Sequence, residues 1–344
     1  MNRTAAIAIA ILSAALFGAA TPASKLLLDA FTAQQLAGLL YLGAALAVAP
    51  TTLRRGWPRW PQDRANRLRL VGAIVFGGAL GPVLLLLGLR TAEATSVSLW
   101  LNLELAATAV LGVMLFREPL GKLGWTGVVA AFGAAIVLSS PGAAAGVLPG
   151  VFVAGACVCW GVDNNLTAVI DGLTPSQSTF WKGLVAGTTN LAIGVALAPF
   201  DRAAPPLAAA LVVGALSYGA SIVLYITSAQ ALGATRSQIV FSTAPFFGVL
   251  LSVLILGEAL TISSVVAGLL FVAAIALFTA ERHAHSHRHE AMDHEHLHRH
   301  DDGHHEHDHP GLARSTWHSH PHHHDSAHHT HPHLPDLHHR HDHR

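Results

Sequence analysis

Between Ala5 and Ala280 the chain is a succession of apolar runs, each about twenty residues long. In lipid a backbone N–H or C=O left outside a helix has no water to bond. A helix that crosses about 30 Å of hydrocarbon needs about 20 largely apolar residues. Ten runs meet that condition: 5–27, 33–53, 70–89, 94–116, 121–139, 147–169, 178–199, 207–229, 234–257 and 262–280. Turn and interface residues fill the gaps, among them Asp29, the Arg54 to Arg69 segment, Arg117 to Pro119, Ser139-Ser140-Pro141-Gly142 and Asp171 to Pro175. The first run follows Met1-Asn2-Arg3, but it is longer than the apolar stretch of a signal peptide and has a counterpart near 150–169, so a retained helix is expected. The expected fold class is an all-α integral membrane protein of ten transmembrane helices.

The runs repeat as a set. The stretch ATSVSLWLNLELAATAVLGVMLF from Ala94 returns as ATRSQIVFSTAPFFGVLLSVLIL from Ala234. Each is followed by a short Glu-x-Leu turn, Glu118 to Leu120 and Glu258 to Leu260. Earlier in each copy, Phe17-Gly18 and Leu28-Asp29 match Trp160-Gly161 and Ile170-Asp171. Each unit then holds five spans, and tandem units with an odd number of spans must lie upside down relative to one another. Residues 1–139 and 140–281 are the expected units, with a substrate site between them near mid-membrane. Lys and Arg set the orientation. With the N-terminus inside, Arg3, Arg54, Arg55, Arg59, Arg64, Arg67, Arg69, Arg117, Lys122, Lys182, Arg236 and Arg282 are cytoplasmic, and only Lys25, Arg90 and Arg202 lie outside. A multi-pass protein of the inner (plasma) membrane with both termini cytoplasmic is expected. Trp57 and Trp60, beside the arginines, suit an interfacial belt.

Ten spans in two five-span units resemble the EamA-like transporters of the drug/metabolite transporter superfamily. So does the ending of each unit, Arg117-Glu118-Pro119-Leu120 or Gly257-Glu258-Ala259-Leu260 before a Gly-containing final span (Gly124, Gly127, Gly133; Gly268). The resemblance covers residues 5–280. It implies an inner-membrane carrier, often an exporter of small metabolites or toxic compounds, with no shared catalytic motif. It leaves the rest of the chain unexplained.

An ionisable group at mid-span is expensive and by default faces a cavity or a partner. Glu104 lies near the centre of the fourth run with Asn102 two residues before it, and its counterpart in the second unit is Ala244. Asp163, Asn164 and Asn165 lie in the second half of the sixth run. These two acids and three amides are the candidates for substrate binding or proton coupling; the competing reading is hydrogen bonding between helices. Thr188, Thr189 and Asn190 are weaker candidates for lining a pathway. Glu118 and Glu258 are read as helix-end structure, and Lys25 and Lys182 as side chains that extend to the interfaces. Cys157 and Cys159 point to nearly opposite sides of a helix and are read as small apolar filler. No nucleophile and base arrangement, no phosphate-binding loop and no membrane-embedded His suggests an enzyme or a nucleotide-driven pump. Nothing points to nucleic acid.

All 25 His lie between His283 and His343, interleaved with Asp and Glu. Residues 282–344 are read as a disordered cytoplasmic tail that binds transition metal, since imidazole is a preferred ligand of zinc, nickel, cobalt and copper. The candidate ligands are His283, His285, His287, His289, His294, His296, His298, His300, His304, His305, His307, His309, His318, His320, His322, His323 and His324. No cofactor is required. The partners are the lipid bilayer and a small-molecule or metal-ion substrate, with a homodimer left open. The expected function is a secondary-active transporter that exports a small metabolite, a toxic compound or a divalent metal. The alternative is a membrane-anchored metal store or sensor that transports nothing.

Overall fold

The computed structural model describes residues 3–54, 56–58, 60–116, 120–140, 146–170, 173–200, 203–232, 240–280, 284–288, 292–298, 311, 313, 316, 318–324 and 328–332. The helix-end reading of Glu118, the repeat match at Ala234 and Thr235, and the candidate ligands His283, His289, His300, His304, His305, His307 and His309 lie outside those residues. Up to Ala280 the described chain is helical. The first half runs α1 (Arg3–Gly18), α2 (Ala20–Leu27), α3 (Ala33–Leu53), α4 (Arg64–Ala73), a π-helical segment (Ile74–Leu80), α5 (Gly81–Thr91), α6 (Ala94–Trp100), α7 (Leu103–Phe116) and α8 (Lys122–Ser139). The second half runs α9 (Val147–Ala168), α10 (Pro175–Leu197), α11 (Ala204–Val213), a second π-helical segment (Gly214–Ala220), α12 (Ser221–Leu232), α13 (Ala244–Leu256) and α14 (Ile262–Ala280).

Among the described residues nine helical stretches are long and apolar enough to cross a membrane, and Ala244–Leu256 is a shorter apolar helix. The nine coincide with nine of the expected runs; the ninth run, 234–257, is described only from residue 240. Large apolar side chains such as Met114, Val129, Ile136, Leu197, Leu254 and Ile262 are exposed on the outer surface, as lipid-facing residues are.

Local sequence explains the irregular elements. Thr32 and Gln35 form a capping box at the start of α3, and Thr174 and Gln177 form the same box at the start of α10. Both π segments occupy the same place in their halves, between α4 and α5 and between α11 and α12. In π register a carbonyl bonds the N–H five residues on, as Phe76 does with Gly81. For Gly77 that residue is Pro82, which has no N–H, so the Gly77 carbonyl is left for side chains. The fourth span is broken between α6 and α7 at Leu101 and Asn102, and a similar break at Ser242 and Thr243 precedes α13.

The halves interlock through corresponding helices. α1 packs on α12 and α13, while its counterpart α9 packs on α5 and α7. α3 packs on the second π segment and α10 on the first. α3 and α10 lie side by side and antiparallel: a Cβ on Gly38 would strike Leu191, one on Gly187 would strike Leu42, and one on Gly194 would strike Gln35. Small residues thus set the helix separation where apolar attraction between helices is weak.

In the tail, the backbone of Ala284–Arg288, Met292–His298, His318–His324 and His328–Pro332 forms four short strands, β1 to β4. β1 pairs with β4 and β2 with β3, both antiparallel. The physical basis is visible in the sequence, because alternation such as His-Ser-His and His-Glu-His has the two-residue period of a strand.

Candidate functional site

The site is built outward from the freed Gly77 carbonyl. It accepts hydrogen bonds from Tyr41 Oη on α3 and from Trp160 Nε1 on α9, the latter at 3.1 Å. Two residues on, the Ala79 carbonyl accepts from Asn190 Nδ2 on α10 at 3.2 Å. A Cβ at Gly77 would overlap the Asp163 carboxylate, so glycine is what lets α9 bring that acid onto the π segment. Asp163 is 6% exposed. It holds Lys182 of α10 through both oxygens, at 3.1 and 2.9 Å, and accepts from Thr167 at 2.8 Å. The structure corrects the reading of Lys182 as an interfacial side chain: it pairs with a buried carboxylate one helix away.

One residue along α9, the exposed Asn164 donates to Glu104 Oε1 at 2.9 Å and to Thr108 Oγ1 at 3.2 Å, both on α7. Glu104 is partly exposed and forms no salt bridge among the described residues, with Asp163 and Lys182 within electrostatic reach of it. Tyr41 and Tyr218 lie within electrostatic reach of it. Asn165 donates to the carbonyls of Thr108 and Gly161, closing α9 onto α7. The Asn102 side chain donates to the Leu99 carbonyl at the break between α6 and α7, alongside the Asn102 backbone N–H. Of the five candidates, Glu104, Asn164 and Asp163 therefore converge on one region, whereas Asn102 and Asn165 serve the backbone around it. Thr188 bonds the carbonyls of Leu184 and Val185 in its own helix. Cys157 is buried with its thiol toward the Trp100 carbonyl, and both cysteines are free.

Aromatic rings from both halves wall the same region. Tyr218 lies 5.6 Å from Tyr41 and 5.8 Å from Phe17, and Phe241 lies 5.3 Å from Phe17 and 5.0 Å from Tyr225, centroid to centroid. The chain has three tyrosines, all within apolar runs, and Tyr41 and Tyr218 fall near mid-span. That placement was the available signal for residues the sequence reading passed over.

At one end of the bundle the halves are pinned by charge. Glu258, in the turn after α13, accepts from the N–H groups of Ala94 and Thr95 at 2.8 and 2.7 Å, capping α6 of the other half. The αL conformation of Gly257 makes that turn possible. Lys25 donates to the carbonyls of Leu89 and Ala92 at the end of α5. Burial, and then the Glu258 charge, push the Glu93 carboxyl up, and its Oε2 has no hydrogen-bond partner among the described residues. Glu258→Ala orphans two backbone donors and is expected to lower stability by about 1–3 kcal/mol, read as a fall in the thermal unfolding midpoint in detergent.

Comparison with known proteins gives two findings on sequence and one on fold. Residues 4–140 and residues 148–280 each match the EamA-like transporter family. An uncharacterized transporter of Methanothermobacter thermautotrophicus is 26% identical over 236 residues, which cover 64% of this chain and 67% of the relative. A protein crystal structure superposes with a TM-score of 0.59 at 17% identity, over 81% of this chain and 97% of the other; the likeness there is one of fold.

Proposed function

The chain belongs to the EamA-like transporter family and is a multi-pass membrane transporter; from that premise we propose that it is a secondary-active exporter of small organic cations, exchanged for protons at Glu104. The observation that carries this reading is a mid-span carboxylate that accepts from an amide, forms no salt bridge among the described residues and lies within electrostatic reach of Tyr41 and Tyr218. An acid placed there is neutral only with a proton or a cationic ligand bound. Aromatic faces add affinity for organic cations. A transition metal is a poorer fit, because the site offers carboxylate, amide and hydroxyl oxygens with no imidazole.

The transport cycle rests on ten spans in two inverted units. The antiparallel contact of α3 with α10, the paired capping boxes and the paired π segments support that arrangement. A second half turned over presents its broken span to the opposite side, which suits alternating access by rocking about a fixed site. The excess of Lys and Arg in alternate loops supports cytoplasmic termini in the inner membrane. A panel of organic amines in proteoliposomes with an imposed pH gradient tests the reading. Amines accumulate against the gradient in the wild type, and no flux of any of them leaves only the store or sensor.

The tail is a transition-metal-binding element that regulates and does not transport. Strand register supports this, placing His294, His296 and His298 opposite His322, His320 and His318. Removing residues 282–344 is expected to abolish zinc and nickel binding by the purified protein while amine flux in metal-free buffer persists. Flux lost with the tail in that buffer would make the tail part of the transport machinery.

A further inference from the structure

We infer that Lys182 fixes the charge of the transport site at one negative unit, so that each cycle exchanges one proton for one monovalent organic cation and excludes dications. The inference rests on the exporter reading above and specifies its stoichiometry.

The charge count comes from the geometry. Among the described residues two carboxylates and one ammonium group lie within electrostatic reach of one another: Glu104 on α7, Asp163 on α9 and Lys182 on α10. Among the described residues the other titratable groups within electrostatic reach of Glu104 are Cys157 on α9, Tyr41 on α3 and Tyr218 in the second π segment, whose neutral forms add no charge. Asp163 and Lys182 cancel. Their pairing is bidentate, is reinforced by Thr167, and is seated against Gly77 where a side chain would not fit. Asp163 is thereby charge-paired, and Glu104, whose carboxylate accepts from the neutral Asn164 amide, is left without a salt bridge among the described residues.

A low-dielectric site favours occupancy states with zero net charge. Glu104 with a proton is neutral, and Glu104 with a monocation is neutral. The two states exclude one another, and that exclusion is exchange. A dication would leave the site positive in either case. Without the Lys182 charge the same cradle holds two free carboxylates, which suit two protons or one dication.

The experiment uses the full chain in weakly buffered detergent solution, with tetraphenylphosphonium as the monovalent probe and methyl viologen as the divalent one. Proton release per probe bound is read with a pH indicator between about pH 5 and 8. The wild type is expected to release one proton per tetraphenylphosphonium at the pH of maximal release and to bind it about tenfold or more tightly than methyl viologen. Lys182→Met is expected to reverse that preference and to release up to two protons per methyl viologen. Lys182→Arg keeps the charge and behaves as the wild type. The double variant Asp163→Asn, Lys182→Met removes both charges, avoids an unpaired buried ion and is expected to return to one proton and a preference for the monocation.

Lys182→Met with the wild-type proton count and ranking overturns the inference, and so does a double variant that prefers the dication. A misfolded Lys182→Met leaves the double variant and Lys182→Arg to decide. Failure to bind either probe in the wild type overturns the organic-cation assignment. If Glu104→Gln still releases a proton on binding, Glu104 is not the exchanging acid and the exporter reading fails, an outcome separate from the role of Lys182.

Discussion

Glu104→Gln is expected to lower proton-driven flux by about 100-fold or more, the scale on which loss of a proton-transferring group acts. The substitution removes the charge and keeps the shape. A glutamine Oε1 still accepts from Asn164, so the contact between α7 and α9 survives and the protein remains folded. Thermal unfolding within a few degrees of the wild type, together with lost flux, is the expected pair of results. Wild-type flux in this variant would remove the carboxylate from the mechanism. Substitution of Asn164 by Ala is a milder change, since the charge persists and only its orientation is lost.

Asp163→Asn has the opposite profile. It leaves the Lys182 ammonium in the same cradle without its carboxylate. Breaking a buried pair by removing one partner is expected to destabilise the fold by about 3–5 kcal/mol. The measurement is thermal or chemical unfolding in detergent, with Lys182→Met added to the same chain as the control. If most of the lost stability returns in the double variant, the damage came from the stranded ammonium. If it does not, Asp163 supports the fold through Thr167 and the Gly77 contact. The two acids therefore separate experimentally: one is expected to govern flux, the other to hold its neighbours.

Much of this was legible in the residues. Glu104 and Asp163 stood out because a carboxylate within an apolar run has no water to soften its presence. The contrast of Glu104 with Ala244 marked the acid as dispensable to the scaffold, and the structure places Ala244 against Gly18 in the corresponding contact of the other half. The capping boxes at Thr32 and Thr174 are also written in the sequence, as Thr-x-x-Gln ahead of an apolar run. Lys182 was misread for a definable reason. It lies seven residues after Pro175, near enough to a helix start for its stem to reach an interface, and only the neighbouring helix reveals the carboxylate that it meets instead.

The sequence by itself determined the membrane class, the repeat and the short list of intramembrane acids. Those follow from composition and period, which lipid reads directly: apolar length decides what crosses, and every polar exception is conspicuous. Tertiary structure decided which acid is ion-paired among the described residues. That depends on distances between residues far apart in the chain, on Gly77 yielding room for Asp163, and on Pro82 releasing a carbonyl to Tyr41 and Trp160. A charge is defined by its neighbours, and in this protein the neighbours of Asp163 and Glu104 come from different helices and different halves.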